Sequence, residues 1–179
     1  MSSNKVFMIY GIYGPFNLNC GCKAMLTAKG KYALKALAHL AALEREATTQ
    51  AVDIAAANAI PKKFLDAILG ELRNAGIVRA RKGPGGGYRL ARAPRDIRIG
   101  QVIRTIDGPL APIACASRTA YQPCRDCKDV ESCAVRLTMS RVRDAMSDVL
   151  DDLTLADMAA AGRHRPAAKA TRRKRSAAR

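Results

Sequence analysis

Residues 61–90 read PKKFLDAILGELRNAGIVRARKGPGGGYRL, and the fold follows from this stretch. Leu65, Ile68, Leu69 and Leu72 recur three and four residues apart, so they form an apolar stripe along one helix. Pro61 suits the first position of that helix, and Gly76 suits the left-handed residue that stops it. Residues 77–82 then alternate small apolar and basic side chains, and residues 88–90 repeat the alternation beyond a glycine-rich turn, which is a β-hairpin pattern. Gly83 to Gly87 are not a phosphate-binding P-loop, because no Gly-Lys-Ser/Thr follows. The dinucleotide fingerprint also fails, with Tyr88 at its last glycine position.

Upstream, Thr48 or Thr49 can cap a short helix, TQAVDIAAAN, with Val52, Ala55 and Ala56 facing inward. The chain turns at 58–60 into the helix at Pro61. Two short helices joined by a tight turn and followed by a hairpin match a helix-turn-helix leading into a wing. Before them, residues 28–45 form a helix with Ala33, Ala36, Leu37, Leu40 and Ala41 on one face. Residues 1–24 precede a second methionine start at Met25, and they read as an N-terminal extension or a misplaced start.

Lys62, Lys63, Asp66 and Arg73 fall away from the apolar stripe. In helix-turn-helix geometry the N-terminal part of this helix meets base edges. The lysines suit phosphate or guanine, and Asp66 suits the cytosine amino group. Around the wing, Arg79, Arg81, Lys82 and Arg89 flank a loop, Gly83-Pro84-Gly85, whose small residues let the backbone approach a phosphate or enter a minor groove. Tyr88 closes that loop.

Downstream of the wing, residues 96–114 give a short helix with Val102, Ile103 and Ile106 buried, and a proline-bearing segment at 109–112 then breaks it. CASRTAYQPCRDCKDVESC, residues 115–133, carries Cys115, Cys124, Cys127 and Cys133. Thiolates are soft ligands, so a closed tetrahedral zinc site and an iron-sulfur cluster both suit this spacing. A reversible disulfide is the third reading, with Arg118, Arg125 and Lys128 nearby to lower a thiol pKa. After Cys133 comes a helix over about 132–152. Its Val135, Met139, Val142, Met146, Val149 and Leu153 follow a four-three-four-three-four spacing, a heptad seam suited to a dimer. Thr154 can cap a last short helix, LADMA.

The 179-residue chain is rich in alanine and has no Trp, which suits packed helices with a small β-wing. Its net charge of +16 points to a polyanion, nucleic acid first. Half of that charge lies in residues 163–179, a basic tail read as disordered and suited to non-specific phosphate contact. Without a transmembrane run or a signal peptide, the chain is expected in the cytoplasm. No Ser/His/Asp grouping, paired acids or substrate-pocket signature points to an enzyme. A redox carrier and a non-specific nucleic-acid binder are the competing classes.

MLTAKGKYALKALAHLA, GELRNAGIVRARKGPGGGYRLAR and CRDCKDVESC followed by a long helix together resemble the Rrf2 family of winged-helix transcription regulators, over Met25 to Ala159. The resemblance implies a homodimer that binds operator DNA through the helix at Pro61–Asp66 and the wing at Arg81–Tyr88, with no small-molecule substrate and no membrane. It further implies, as in many members, an iron-sulfur cluster, 2Fe-2S or 4Fe-4S, in the loop before the dimerisation helix that tunes DNA binding; its assembly or loss is expected to reorder residues 108–133. Cys127 and Cys133 match the family's interval between its last two cluster cysteines, and Cys115 or Cys124 supplies the first. A histidine that ligates in one branch of the family is missing, since the chain has only His39 and His164. The expected organisation is an extension (1–24), a winged helix-turn-helix (25–107), a cysteine loop (108–133), a dimerisation helix with a short terminal helix (134–159) and a basic tail (160–179).

Overall fold

The computed structural model describes residues 26–163 except Arg45, Arg125, Asp126 and Lys128. The expected N-terminal extension and most of the basic tail, and Arg125 and Lys128 as thiol activators, lie outside the described residues.

Helix α1 (Ala28–Ala41) starts at Thr27, whose hydroxyl accepts from the Gly30 amide at 3.2 Å. Its Ala33, Ala36, Leu37 and Leu40 are buried as their spacing predicts. It ends four residues before the expected stop at residue 45. The Ala42 and Leu43 amides reach back only to His39 and Leu40, a tightened last turn, and the chain then leaves to carry Thr49 to the wing.

Helix α2 (Ala51–Asn58) departs from the expected pattern. Thr49 is held in a bridge to Tyr88, so Gln50 takes the N-terminal position without a side-chain cap. Ile54 and Ala55 face the core, whereas Val52 and Ala56 are exposed. Two helical turns present one narrow strip inward, and Ile54, the largest apolar side chain in the segment, claims it. The turn that follows holds Ala59 in a left-handed conformation (φ 51°).

Helix α3 (Lys62–Asn74) begins one residue later than expected, because Pro61 keeps extended backbone (ψ 126°) and flanks the helix from outside. Leu65, Ile68, Leu69 and Leu72 are fully buried, and Gly76 (φ 68°) ends the helix as predicted. Strands β1 (Val78–Arg81) and β2 (Gly87–Leu90) pair antiparallel, Val78 with Leu90 and Arg81 with Gly87. Thr49 adds one rung on the other edge of β2. Its amide donates to Tyr88 O at 3.1 Å and its carbonyl accepts from Tyr88 N at 2.8 Å.

Helix α4 (Ile99–Ile106) buries Ile99, Val102, Ile103 and Ile106 in the same core as α1 and α3. A 3-10 turn, Ala114–Ala116, carries Cys115 and opens the cysteine segment. Helix α5 (Ala134–Asp152) follows, and none of its residues is buried. Helix α6 (Leu155–Arg163) returns to α1 and places Leu155 fully in the core. Its start is a reciprocal cap: the Asp157 amide donates to Thr154 Oγ1 (3.1 Å) and the Thr154 amide to Asp157 Oδ2 (3.0 Å). The architecture is mainly helical with a two-stranded wing.

Candidate nucleic-acid interface and thiol site

The inward stripe of α3 leaves its other residues outside. Lys62, Lys63 and Asp66 are exposed in its first two turns, and Lys62 Nζ pairs with Asp66 Oδ2 at 2.7 Å. Arg73 is exposed at the opposite end of the helix, about 16 Å along the axis from Lys62 at the α-helical rise. It belongs with the wing, bordering a shallow groove with Gly76, Arg79 and Arg92.

On the hairpin, strand alternation sorts the side chains. Val78 is buried and Tyr88 and Leu90 pack half-buried against the core, while Arg79 and Arg81 are exposed and Arg79 stands opposite Arg89. Arg89 pairs with Glu46 at 2.7 Å. Lys82, Gly83, Pro84 and Gly85 form the exposed turn. Thr48 Oγ1 donates to Gly85 O at 2.8 Å, so the residues before α2 hold the wing at both its turn and its edge. The structure therefore brings Arg79, Arg81, Lys82 and the Gly83–Gly85 turn to one exposed surface. Tyr88 is directed inward, beneath it.

Two features escaped the sequence reading. One is the clasp by Thr48 and Thr49, which no spacing rule signals. The other is Phe64, 58% exposed beside Lys63. Its place off the Leu65–Leu72 stripe was visible in the helical period.

In the cysteine segment, Cys127 Sγ lies 3.6 Å from Cys133 Sγ. Hydrogen bonding to Cys133 first, and to Cys124 second, pushes the Cys127 thiol up to about 12. Cys133 flanks the start of α5 and is held below its ordinary value, chiefly by the backbone amide of Arg136 and then by the Cys127 thiol. Arg118 has no part in this, because Asp144 on α5 takes it at 2.9 Å. The thiol contact of the segment is thus the Cys127–Cys133 pair. Cys115 is buried in the turn Ala114–Ala116, and its carbonyl accepts from Arg136 Nε at 3.1 Å.

Arg136 also donates to Val130 O, and Arg143 donates to Ala116 O, so two arginines of α5 fasten the cysteine segment at both its ends. Among the described residues no group of three or more Cys, His, Asp or Glu side chains is gathered so that it could hold a metal ion. The donor chemistry nevertheless fits a thiophilic centre. Two thiolates on one tetrahedral metal at about 2.3 Å stand about 3.8 Å apart, close to the Cys127–Cys133 separation. No helix among the described residues is long and apolar enough to cross a membrane.

The family model described as Rrf2, an iron-dependent transcriptional regulator, matches residues 26–161. The chain is 49% identical over 148 residues to a putative HTH-type transcriptional regulator, rrf2-like, of Rhodobacter capsulatus, covering 81% of this chain and 97% of that one. It is 31% identical over 133 residues to the HTH-type transcriptional regulator IscR of Vibrio atlanticus, covering 74% and 73%. Among solved structures it resembles CymR, the global cysteine regulator of B. subtilis, with a TM-score of 0.63 and 33% identity over 76% of this chain and 96% of that one. With its helix-turn-helix, wing and long α5 in that order, the chain belongs to the Rrf2 family of helix-turn-helix transcriptional regulators.

Proposed function

We propose that the protein regulates transcription as a homodimer, reading operator DNA with the start of α3 and the wing, and that the thiol cluster at the head of α5 adjusts that reading. The observation that carries this is α5 itself. It has no buried residue, yet its seam includes Val135 (63% exposed), Val142 and Val149 (59% exposed), and both its ends are anchored. A second copy would cover the seam in a coiled-coil manner and set two reading heads a fixed distance apart. Lys62, Lys63, Asp66, Arg79, Arg81, Lys82 and the Gly83–Gly85 turn face the duplex in this reading. Arg73 adds a phosphate contact from the wing side.

Cys124, Cys127 and Cys133 would hold an iron-sulfur cluster, with Cys115 as the fourth thiol of the segment. When bound, the cluster supplies an iron- and redox-sensitive link between the cysteine segment and α5. The chain's own part is to transmit the state of that link: Arg136 and Arg143 tie the segment to α5. At the far end of α5, Arg104 grips Asp151 and Arg98 donates to Asp152 O, which joins the helix to α4. The close Cys127–Cys133 pair also favours a thiol switch, a disulfide formed when the metal is absent and an oxidant is present.

Protein purified without oxygen should be brown, with sulfide-to-iron charge-transfer absorption, and should bind a selected operator differently before and after iron chelation. A Cys127→Ser, Cys133→Ser variant that binds that operator identically to the parent under both conditions would overturn the sensing reading.

A further inference from the structure

We infer that Phe64 reads a thymine methyl group, giving the operator an apolar requirement distinct from the contacts of the lysines and Asp66. This rests on the reading above, in which the start of α3 enters the major groove. Phe64 is the third residue of α3 and 58% exposed, although its neighbour Leu65 is fully buried. More than half of an aromatic residue is thus left in water at the start of the helix. The core side of α3 is already filled by Leu65, Ile68, Leu69 and Leu72.

The partner that fits is set by the surroundings. Lys62 and Lys63 precede Phe64, and Ala67, exposed one helical turn further on, leaves room beside the ring. Cationic flanks with an apolar centre match the major groove, where phosphates line the walls and the thymine C5-methyl is the main apolar group on a base edge. A protein partner for the ring would have to sit among these lysines, and charge complementarity favours DNA. The carboxylate of Asp66 cannot do this work, since it discriminates by hydrogen bonding, and it is held by Lys62 at 2.7 Å in the absence of DNA.

The test uses the full chain. Duplexes are enriched from a random library by rounds of binding to the protein, and each thymine of the enriched site is replaced singly by deoxyuridine, which removes only the methyl group. Affinities are read by fluorescence anisotropy. Burial of one methyl group predicts that one replacement weakens the parent by about fourfold. Phe64→Ala should bind the thymine and deoxyuridine duplexes equally, while Phe64→Leu should keep part of the preference. Thermal melts of both variants should match the parent, as expected for a side chain outside the core.

The assignment is overturned if no replacement weakens the parent, or if Phe64→Ala keeps the parent's thymine preference. Equal loss of affinity by Phe64→Ala for both duplexes, with the preference intact, also overturns it and places the ring on the backbone. If no duplex is enriched at all, sequence-specific reading fails and this assignment falls with it. An enriched duplex without a Phe64-linked methyl effect sinks the assignment alone.

Discussion

At the scale of single residues, Gly87 shows how close approach rather than chemistry sets an identity. Its φ is 155°, and a side chain there would strike the backbone of Thr49, the residue that clasps β2. Backbone cannot yield as a flexible side-chain end can, so Gly87→Ala should cost about 1–3 kcal/mol in urea denaturation and loosen the wing. Gly85→Ala, in the open turn, should cost less, since only backbone strain opposes it. Sequence exposed the glycine run but did not separate these two roles, because the partner of Gly87 lies thirty-eight positions earlier in a segment with no pattern of its own. The thiols were legible in the same partial way. Their density announced a site, but spacing did not show that Cys127 and Cys133 meet while the Cys115 carbonyl is tied to Arg136.

At the scale of elements, periodicity carried α1, α3 and α4: α1 and α3 have long apolar stripes, and short α4 has bulky Val102, Ile103 and Ile106 on one face. It held only for Ala55 in α2, where eight residues rich in alanine give nearly equal stripes and a single isoleucine decides. The joint between α4 and α5 could not be read from sequence at all. Arg104 Nη1 and Nη2 donate to both Asp151 oxygens at 2.6 and 2.7 Å across forty-seven residues. Hydrogen bonding to Arg104 holds the Asp151 carboxyl below its ordinary value. A carboxyl depressed in the folded state contributes stability above its unfolded value and loses it as pH falls through the folded one. Asp151→Asn should therefore lower stability at neutral pH by about 0.5–1 kcal/mol, a figure limited by the pair's solvent exposure. The gap to the parent should close as the pH drops below about 4 in paired denaturation curves. At the other end of α5, Arg136→Ala should release the cysteine segment, and faster labelling of Cys127 and Cys133 by a thiol reagent in metal-free protein would show it. Arg136→Lys should restore this only partly, because one ammonium group replaces a planar fork that reaches both Cys115 O and Val130 O.

For the whole molecule, the question is what would join two copies into the proposed dimer. One chain builds the winged core, with α6 packed on α1 and Leu155 fully buried in it. In the proposed dimer, stability of the fold and pairing of the subunits are thus separable, and α5, with no buried residue, is where they separate. Val142 sits mid-seam and is 40% exposed, so Val142→Asp removes little from the core and places a charge where the partner's seam would lie. The substitution should convert a dimer to a monomer in light scattering at micromolar concentration while leaving the thermal melt of the winged core nearly unchanged. DNA affinity should then fall far more for a two-half-site duplex than for a single half-site, because the loss is one of linkage between reading heads and not of contacts within either. A monomeric variant that kept full affinity for the longer duplex would place the reading unit in one chain and leave the α5 seam for some other partner.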